Sequence, residues 1–191
     1  MKKSKENSHL GGYFIEGDPF TWMPDIWGFL LLTYDIHSVI DIGCGTGVNL
    51  SWFYSMKTEC LGIEGDQFAI ENSKIKNVLV QHDFSLGPYS LDSKFDLCIS
   101  TEFVEHVEAI YEENWLTVVD SSKYFLMCHA IPGQGGHHHV NEQSSEYWIE
   151  KLERRNFKHI SELSTKFRNT TKRYPTKWGR NTLLFFENNN I

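Results

Sequence analysis

Short apolar runs alternate with longer amphipathic stretches along most of the chain, and the two kinds of segment differ in their hydrophobic period. The apolar runs predict seven strands, at residues 39–42, 59–64, 78–81, 95–100, 124–130, 158–163 and 181–187. The stretches with a helical period predict helices at residues 25–34, 48–56, 67–75, 110–121 and 144–157. Because strands and helices alternate at the spacing of crossover connections, the chain is predicted to form an α/β fold around a mostly parallel sheet.

The length of 191 residues and the hydrophobic content of 40% predict one well-filled domain. Residues 36–191 are predicted to form that domain, and residues 1–35 to hold a tail, an aromatic segment and the first helix. Within the tail, residues 1–12 are polar and are predicted to be frayed. The aromatic segment is predicted to pack against the sheet edge. A lid over a ligand is the alternative, with Tyr13 and Trp22 as its candidates.

The composition of the chain indicates which kinds of molecule the protein could bind and in which compartment it works. The net charge of −7 argues against a protein that coats duplex DNA, whereas a short nucleic-acid end stays compatible with it. The four cysteines are scattered and form no C-x-x-C pair, which predicts reduced thiols. No apolar run reaches the ~18 residues of a membrane helix, and the amino terminus lacks the apolar core of a signal peptide. These features predict a cytoplasmic protein with no membrane partner.

The first predicted strand runs directly into a glycine-rich turn. Asp41 lies near the carboxyl end of that strand, and Gly43, Gly45 and Gly47 follow it before the next helix. In open α/β sheets this edge binds ligands, and glycine lets the backbone approach them closely. A dinucleotide site requires G-x-G-x-x-G, but Val48 stands where its third glycine should be, so a nicotinamide or flavin enzyme is disfavoured. A strand–turn–helix corner without a ligand is the alternative.

An apolar strand, an acid and G-x-G-x-G in this order resemble the first motif of the class I methyltransferases, which use S-adenosylmethionine. The resemblance covers about residues 36–190, because further acids, Glu64 and Asp83, end the second and third predicted strands. It implies a Rossmann-like, seven-stranded sheet with helices on both faces and strand seven antiparallel between strands five and six. It also implies that the glycine turn and Asp41 hold the methionine part of the cofactor.

The remaining cofactor contacts follow the strand ends. Glu64 lies where Rossmann-like sheets place a carboxylate against the ribose hydroxyls. By resemblance, Asp83 holds the adenine amino group and Phe84 flanks the ring. The complete predicted set for S-adenosylmethionine is Asp41, Gly43, Cys44, Gly45, Gly47, Glu64, Gly65, Asp83, Phe84 and Ser100.

A group of acids and a histidine follows strand four. In a helix, Glu102, Glu105 and His106 would lie at i, i+3 and i+4 and share one face, which predicts ligands for a divalent metal. The alternative is that acids favour helix amino termini for electrostatic reasons. The pattern E-x-x-E-H resembles the ubiquinone-biosynthesis O-methyltransferases and the small-RNA 3′-terminal 2′-O-methyltransferases, in which these residues hold a divalent ion.

Strand five leads into a glycine-rich loop that carries His137, His138 and His139 to the same edge. One of them is predicted to complete the metal site or to act as general base, with a solvated polar loop as the alternative. His138 is the first choice, because alternate residues of an extended segment face opposite ways and His138 is the middle one.

A basic segment, residues 164–180, interrupts an otherwise acidic chain. It contains no acid, and its cations and aromatic rings are Lys166, Phe167, Arg168, Lys172, Arg173, Tyr174, Lys177, Trp178 and Arg180. The segment is predicted to be a hairpin that binds a phosphorylated substrate, a glycan or a short RNA end, or to be merely solvated.

Taken together, the sequence predicts an S-adenosylmethionine-dependent methyltransferase. No tetrapeptide like N-P-P-Y follows strand four, so methylation of base amino groups has no support and a hydroxyl oxygen is the expected acceptor. The expected substrate is a small molecule or sugar, methylated with the help of a divalent metal. Methylation of a short RNA 3′ end and a non-catalytic cofactor-binding module are the alternatives.

Overall fold

The computed structural model describes residues 9–10, 12–173 and 179–191. In this part of the chain, seven strands form one sheet in the order β3-β2-β1-β4-β5-β7-β6. The strands are β1 Ser38–Ile42, β2 Glu59–Glu64, β3 Leu79–Gln81, β4 Phe95–Thr101, β5 Ser122–Cys128, β6 Phe157–His159 and β7 Leu184–Asn188. Strand β7 pairs antiparallel with both β5 and β6, and the other pairs are parallel. The predicted topology is confirmed.

Helices pack on both faces of this sheet. They are α1 Pro24–Tyr34, α2 Val48–Ser55, α3 Gln67–Glu71, α4 Glu112–Asp120, α5 Ser145–Glu153, α6 Ser161–Thr171 and α7 Gly179–Thr182. Short 3-10 helices occur at Lys76–Val78, Phe84–Leu86, Val104–His106 and Ala109–Tyr111. Among the described helices, none has the combined length and hydrophobicity that a membrane span requires. All four cysteines are free thiols.

The core consists of two hydrophobic clusters, one on each face of the sheet. Alternation along β5 shows the division, because Leu126 belongs to one cluster whereas Phe125 and Met127 belong to the other. The first cluster is covered by α1, α2 and α6, and the second by α4 and α5. Because both faces are buried, the strands have nearly continuous apolar sequences.

The prediction of a strand at residues 158–163 is wrong. Strand β6 ends at His159, and α6 begins at Ser161 and continues to Thr171, so the start of the basic segment is a helix and not a hairpin. Ser164, Phe167 and Thr171 are buried at helical spacing, and Phe167 packs on Phe29 and Phe185. Packing of this face on α1 and β7 stabilises the helix. Lys177, Tyr174 and Trp178 lie outside the described residues.

The segment after β4 also differs from its prediction. Glu102 has a positive φ of 54°, and only Val104–His106 forms a single 3-10 turn, so no α-helix holds Glu102 and His106 on one face. Glu102 is nevertheless close enough to Glu105 for its carboxylate to raise the pKa of Glu105, and His106 directly follows Glu105 in the chain. Similarly, the helix predicted at 67–75 ends at Glu71, and the one predicted at 110–121 begins with a 3-10 turn.

Candidate active site

One cavity of about 520 Å³ opens at the carboxyl edge of the parallel strands. Its walls come from the glycine turn, from the residues that follow β2, β3 and β4, from the loop after β5 and from the amino-terminal segment. This is the edge at which open α/β sheets bind ligands. The predicted cofactor residues that line it are Gly43, Cys44, Gly45, Glu64, Gly65, Asp83 and Phe84.

The backbone of the glycine turn leaves no room for a side chain at Gly43 and has angles that favour glycine. Gly43, Gly45 and Gly47 all have positive φ angles, which glycine adopts without strain. A Cβ at Gly43 would lie 2.2 Å from the Phe103 ring, so a side chain there would force the segment after β4 to move. Gly47 precedes α2 and contacts Ile75 rather than the cavity.

The Glu64 carboxylate connects β2 to this turn. Its oxygens accept hydrogen bonds from the backbone N–H of Gly45 (2.7 Å) and of Asp66 (2.8 Å). Burial raises the pKa of Glu64, and these two N–H groups oppose the rise by stabilising the charged form. Each oxygen keeps a lone pair for a further donor, and the side chain faces the cavity.

Asp41 and Ser100 are buried and do not line the cavity. Asp41 is 2% exposed and Ser100 is fully buried, and Asp41 Oδ1 and Ser100 Oγ have no hydrogen-bond partner among the described residues. Burial raises the pKa of Asp41 well above its usual value, and the nearby Glu64 carboxylate raises it further. Buried polar atoms without partners cost stability, so they mark places where function constrains the sequence.

Asp83 already has partners in the described structure. Its oxygens accept hydrogen bonds from the Ser85 backbone N–H (2.9 Å) and contact the His9 ring nitrogen (2.7 Å). Burial favours the neutral acid, but the bonds from His9 and Ser85 outweigh it, so the pKa of Asp83 is lowered. Phe84 is buried beside it and contacts Phe103 with ring centroids 5.8 Å apart.

The amino-terminal segment closes one side of the cavity. The prediction that residues 1–12 are frayed is wrong for His9, Leu10 and Gly12, which line the cavity; residues 1–8 and 11 lie outside the described part. Leu10 rests on Gly65, and the Tyr13 hydroxyl donates to Asp66 (3.1 Å) across the glycine turn. Tyr13 therefore lines the cavity, which is the position that the lid alternative requires. Trp22 instead packs edge-on against Trp27 in the core.

Three of the candidate metal ligands come together at the cavity, where His106 and His139 line the wall and Glu105 is fully buried beside them. Glu105, His106 and His139 each offer one ligand atom, and these atoms lie within 4.8 Å of one another. We call these three residues the Glu–His cluster. Glu105 is fully buried, and neither of its oxygens has a hydrogen-bond partner among the described residues. Burial and the adjacent Glu102 carboxylate raise the pKa of Glu105 well above its usual value.

The other predicted metal ligands occupy different positions around Glu105. Glu102 lines the cavity next to Glu105 but is not part of the Glu–His cluster, and burial raises its pKa. Burial lowers the pKa of His106 to about 4, so its imidazole is neutral at pH 7. A neutral imidazole has a lone pair available for a cation or a proton.

The loop after β5 places His139, rather than His138, in the cluster. The backbone N–H groups of Val140 and Asn141 both donate to the Glu105 carbonyl, at 2.9 and 3.1 Å, which holds the loop against the 3-10 turn. His138 has φ +48°, so the alternation expected of an extended segment is wrong here. His138 lies outside the Glu–His cluster and near His9, with ring centroids 6.3 Å apart.

The described residues of the basic segment, 164–173 and 179–180, lie outside the lining of this cavity. Lys166 rests over the Phe29 ring at 3.8 Å, and Arg168 donates to the Leu183 carbonyl, so both cations support the packing of α6. In the described structure, neither Lys nor Arg lines the cavity. The segment's proposed contact with an anionic substrate therefore has no support from the geometry.

Several residues of the site were not predicted from the sequence. His9 and Leu10 belong to a polar tail without a hydrophobic period, and Glu142 is an isolated acid in a loop. Glu142 lies three residues after His139 and contacts it at 2.9 Å. A histidine followed three residues later by an acid was the available signal, but such spacing is common in loops that bind nothing.

Comparisons with known proteins agree with this geometry. Residues 40–127 match the family described as a methyltransferase domain. No curated protein sequence matches the chain.

Three solved structures show how much of the chain shares its fold with known proteins. The plantazolicin methyltransferase BpumL in complex with SAH is 16% identical with a TM-score of 0.59, and the match covers 89% of this chain and 85% of BpumL. A SAM-dependent methyltransferase from Archaeoglobus fulgidus is 16% identical with a TM-score of 0.58, over 91% of this chain and 95% of that protein. A TehB-like SAM-dependent methyltransferase from Corynebacterium glutamicum is 17% identical with a TM-score of 0.57, over 80% and 79%. The chain therefore shares the Rossmann-like α/β fold of these methyltransferases, and its residues 40–127 match the methyltransferase-domain family.

Proposed function

We propose that the chain is an S-adenosylmethionine-dependent methyltransferase that methylates a hydroxyl group of a small molecule or sugar with the help of a divalent cation. The observation that carries this proposal is that one cavity is lined both by the glycine turn and by His106 and His139 of the Glu–His cluster. The turn is the cofactor half of the site, and the cluster is the half at which an acceptor would be activated. The solved complexes of BpumL with SAH support the cofactor assignment.

The cofactor half uses residues at three successive strand ends. Gly43, Cys44 and Gly45 of the glycine turn would hold the cationic methionine part, and the free lone pairs of Glu64 would accept the ribose hydroxyls. Asp41 is buried and outside the cavity lining, so its predicted contact with the cofactor would need the turn to move. Asp83 would take the adenine amino group, beside the Phe84 ring. Since His9 occupies one Asp83 oxygen, adenine would have to share or displace that contact.

The Glu–His cluster fits a divalent cation. Glu105 presents two buried oxygens without partners, and His106 and His139 contribute nitrogen ligands. Mixed oxygen and nitrogen ligands suit Mn, Fe, Co or Zn better than Mg. When bound, the cation would act as a Lewis acid and lower the pKa of a substrate hydroxyl attached to it.

Proton removal is assigned to the loop after β5. His138 lines the cavity, lies outside the Glu–His cluster, and has an Nε2 without a partner among the described residues. We assign it as the acceptor of the hydroxyl proton. The deprotonated oxygen then attacks the methyl carbon in line with the sulfonium, so one C–O bond forms as the C–S bond breaks.

The residues that line the cavity favour an uncharged methyl acceptor over the end of an RNA strand. No Lys or Arg of the described residues faces the cavity, whereas its wall includes the rings of Tyr13, Phe103 and Tyr111. A phosphate backbone is usually held by cations, and such contacts dominate binding to nucleic acids. A sugar or a catechol-like diol needs only polar groups and ring faces.

The test is methyl transfer from labelled S-adenosylmethionine to sugars, catechols and RNA 3′ ends, each with and without a chelator. We expect transfer to a hydroxylated small molecule, lost on chelation and restored by Mn²⁺ or Co²⁺. Glu105→Ala should lower kcat at least ~100-fold, since it removes a ligand of the activating ion. Glu153→Ala is the control, because this exposed acid in the last turn of α5 lies outside both the cavity lining and the Glu–His cluster. Unchanged activity after chelation, or transfer to RNA alone, would contradict the proposal.

A further inference from the structure

Glu142 organises the loop that carries the three histidines. Its Oε2 accepts a hydrogen bond from the Gly133 backbone N–H (2.7 Å), and its Oε1 accepts one from Gly135 (2.6 Å). The same Oε1 lies 2.9 Å from Nδ1 of His139. A carboxylate that accepts three such bonds ties the start of the loop to its end.

The contact with His139 has a consequence for its ring. A carboxylate only accepts hydrogen bonds, so Nδ1 of His139 must carry a proton to bond to Glu142. In the neutral ring the lone pair is then on Nε2. Histidines that bind metals commonly donate their other ring N–H to a carboxylate, which sets the tautomer and the ring orientation.

The loop backbone is shaped around this histidine. Gly133 and Gly135 have positive φ angles, which aim their N–H groups at Glu142, and a Cβ at Gly136 would lie 2.2 Å from Nε2 of His139. At the far end, Val140 and Asn141 are bonded to the Glu105 carbonyl. The Asn141 side chain also donates to the buried Glu112 (2.7 Å), which anchors the loop to α4.

We propose that Glu142 is a positioning residue that holds the His139 ring in the Glu–His cluster with its proton on Nδ1 and its Nε2 free for a divalent cation. This inference rests on the proposed function, since it gives the cluster its cation. Glu142 itself is not assigned as a ligand of the cation, because it is outside the Glu–His cluster and its Oε1 already accepts from Gly135 and His139. His137 and His138 have no such carboxylate partner among the described contacts, which separates their role from that of His139.

Two readouts test the proposal on the whole chain. The first is the tautomer of His139 in the metal-free protein, read from the nitrogen shifts of its ring by NMR. The second is the affinity for Co²⁺ alone, measured by titration calorimetry. Both are applied to wild type, Glu142→Ala, Glu142→Gln and the control Glu153→Gln, an exposed acid in the last turn of α5.

Wild type should show the Nδ1–H tautomer of His139, and Glu142→Ala should lose it and bind Co²⁺ about 10- to 100-fold more weakly. Glu142→Gln keeps an acceptor oxygen, so it should retain the tautomer and bind with intermediate affinity. Glu153→Gln should match wild type. An Nε2–H tautomer in wild type, or unchanged tautomer and affinity in Glu142→Ala, would overturn the proposal. If wild type binds no Co²⁺, the cation of the proposed function fails, and the tautomer still decides whether Glu142 sets the state of His139.

Discussion

Burial of Asp41 lowers the free energy of unfolding of the ligand-free protein at neutral pH. Burial and the neighbouring Glu64 raise the pKa of Asp41 well above its usual value, so the folded state holds its proton to a higher pH than the unfolded state does. Between the two pKa values the folded chain binds more protons, and the free energy of unfolding falls as pH rises. The cost is therefore present at neutral pH and is removed below pH ~4, near the pKa of an unfolded aspartate.

Asp41→Asn should consequently raise the unfolding free energy of the ligand-free protein at pH 8 by about 1–3 kcal/mol and flatten its decline between pH 4 and 8. Urea unfolding at a series of pH values measures both effects. Asp92→Asn, at an exposed position, should keep the wild-type slope. Equal slopes for Asp41→Asn and wild type would show that Asp41 does not carry this cost.

At the residue scale, the sequence predicted which strand-end residues lie at the cavity better than it predicted the shape of the loops. Glu64 and Asp83 line the cavity, as expected of acids at the carboxyl ends of parallel strands. The structure places His139 rather than His138 in the Glu–His cluster, because the loop is not extended: His138 has φ +48° and the loop is folded around Glu142. Such turns depend on hydrogen bonds between distant loop positions, which local periodicity does not encode.

At the element scale, helix α6 was not predicted from the sequence, and its buried residues explain why. Two of its three buried positions, Ser164 and Thr171, are polar, so the helical period is weak in the sequence. Ser164 is nevertheless satisfied, because its Oγ accepts from the Phe185 N–H (2.9 Å) and donates to the Ile160 carbonyl (3.1 Å). The strands were easier to predict, since both faces of the sheet are buried and their apolar runs are continuous.

The packing of α6 can be tested with adjacent substitutions. Phe167→Ala should lower the unfolding free energy by ~3–5 kcal/mol, because Phe167 is 1% exposed and packs between Phe29 and Phe185. Lys166→Ala should cost only ~0.5–1 kcal/mol, the worth of its contact with the Phe29 ring. Urea unfolding compares the two. Similar costs for both substitutions would be incompatible with the packed helix.

At the scale of the whole molecule, the fold followed from the order of strands, acids and glycines, and β7 lies between β5 and β6 as the resemblance implied. Closure of the cavity did not follow from the sequence. His9, Leu10 and Tyr13 reach the cofactor edge through contacts with Asp83, Gly65 and Asp66, each more than 50 positions away along the chain. No local pattern in a polar tail predicts such contacts.

The most direct test of the account is calorimetric titration of the protein with S-adenosylmethionine, using wild type, Glu64→Ala and Glu59→Ala. Glu59 is an exposed acid at the opposite end of the same strand, β2, and serves as the control. We predict one site in wild type, unchanged affinity in Glu59→Ala, and a loss of ~1.5–3 kcal/mol in Glu64→Ala, about 10- to 150-fold, because a charged acceptor of the ribose hydroxyls and a tie to the glycine turn are removed. No binding in wild type, or equal affinity in wild type and Glu64→Ala, would contradict the assignment of this cavity to the cofactor.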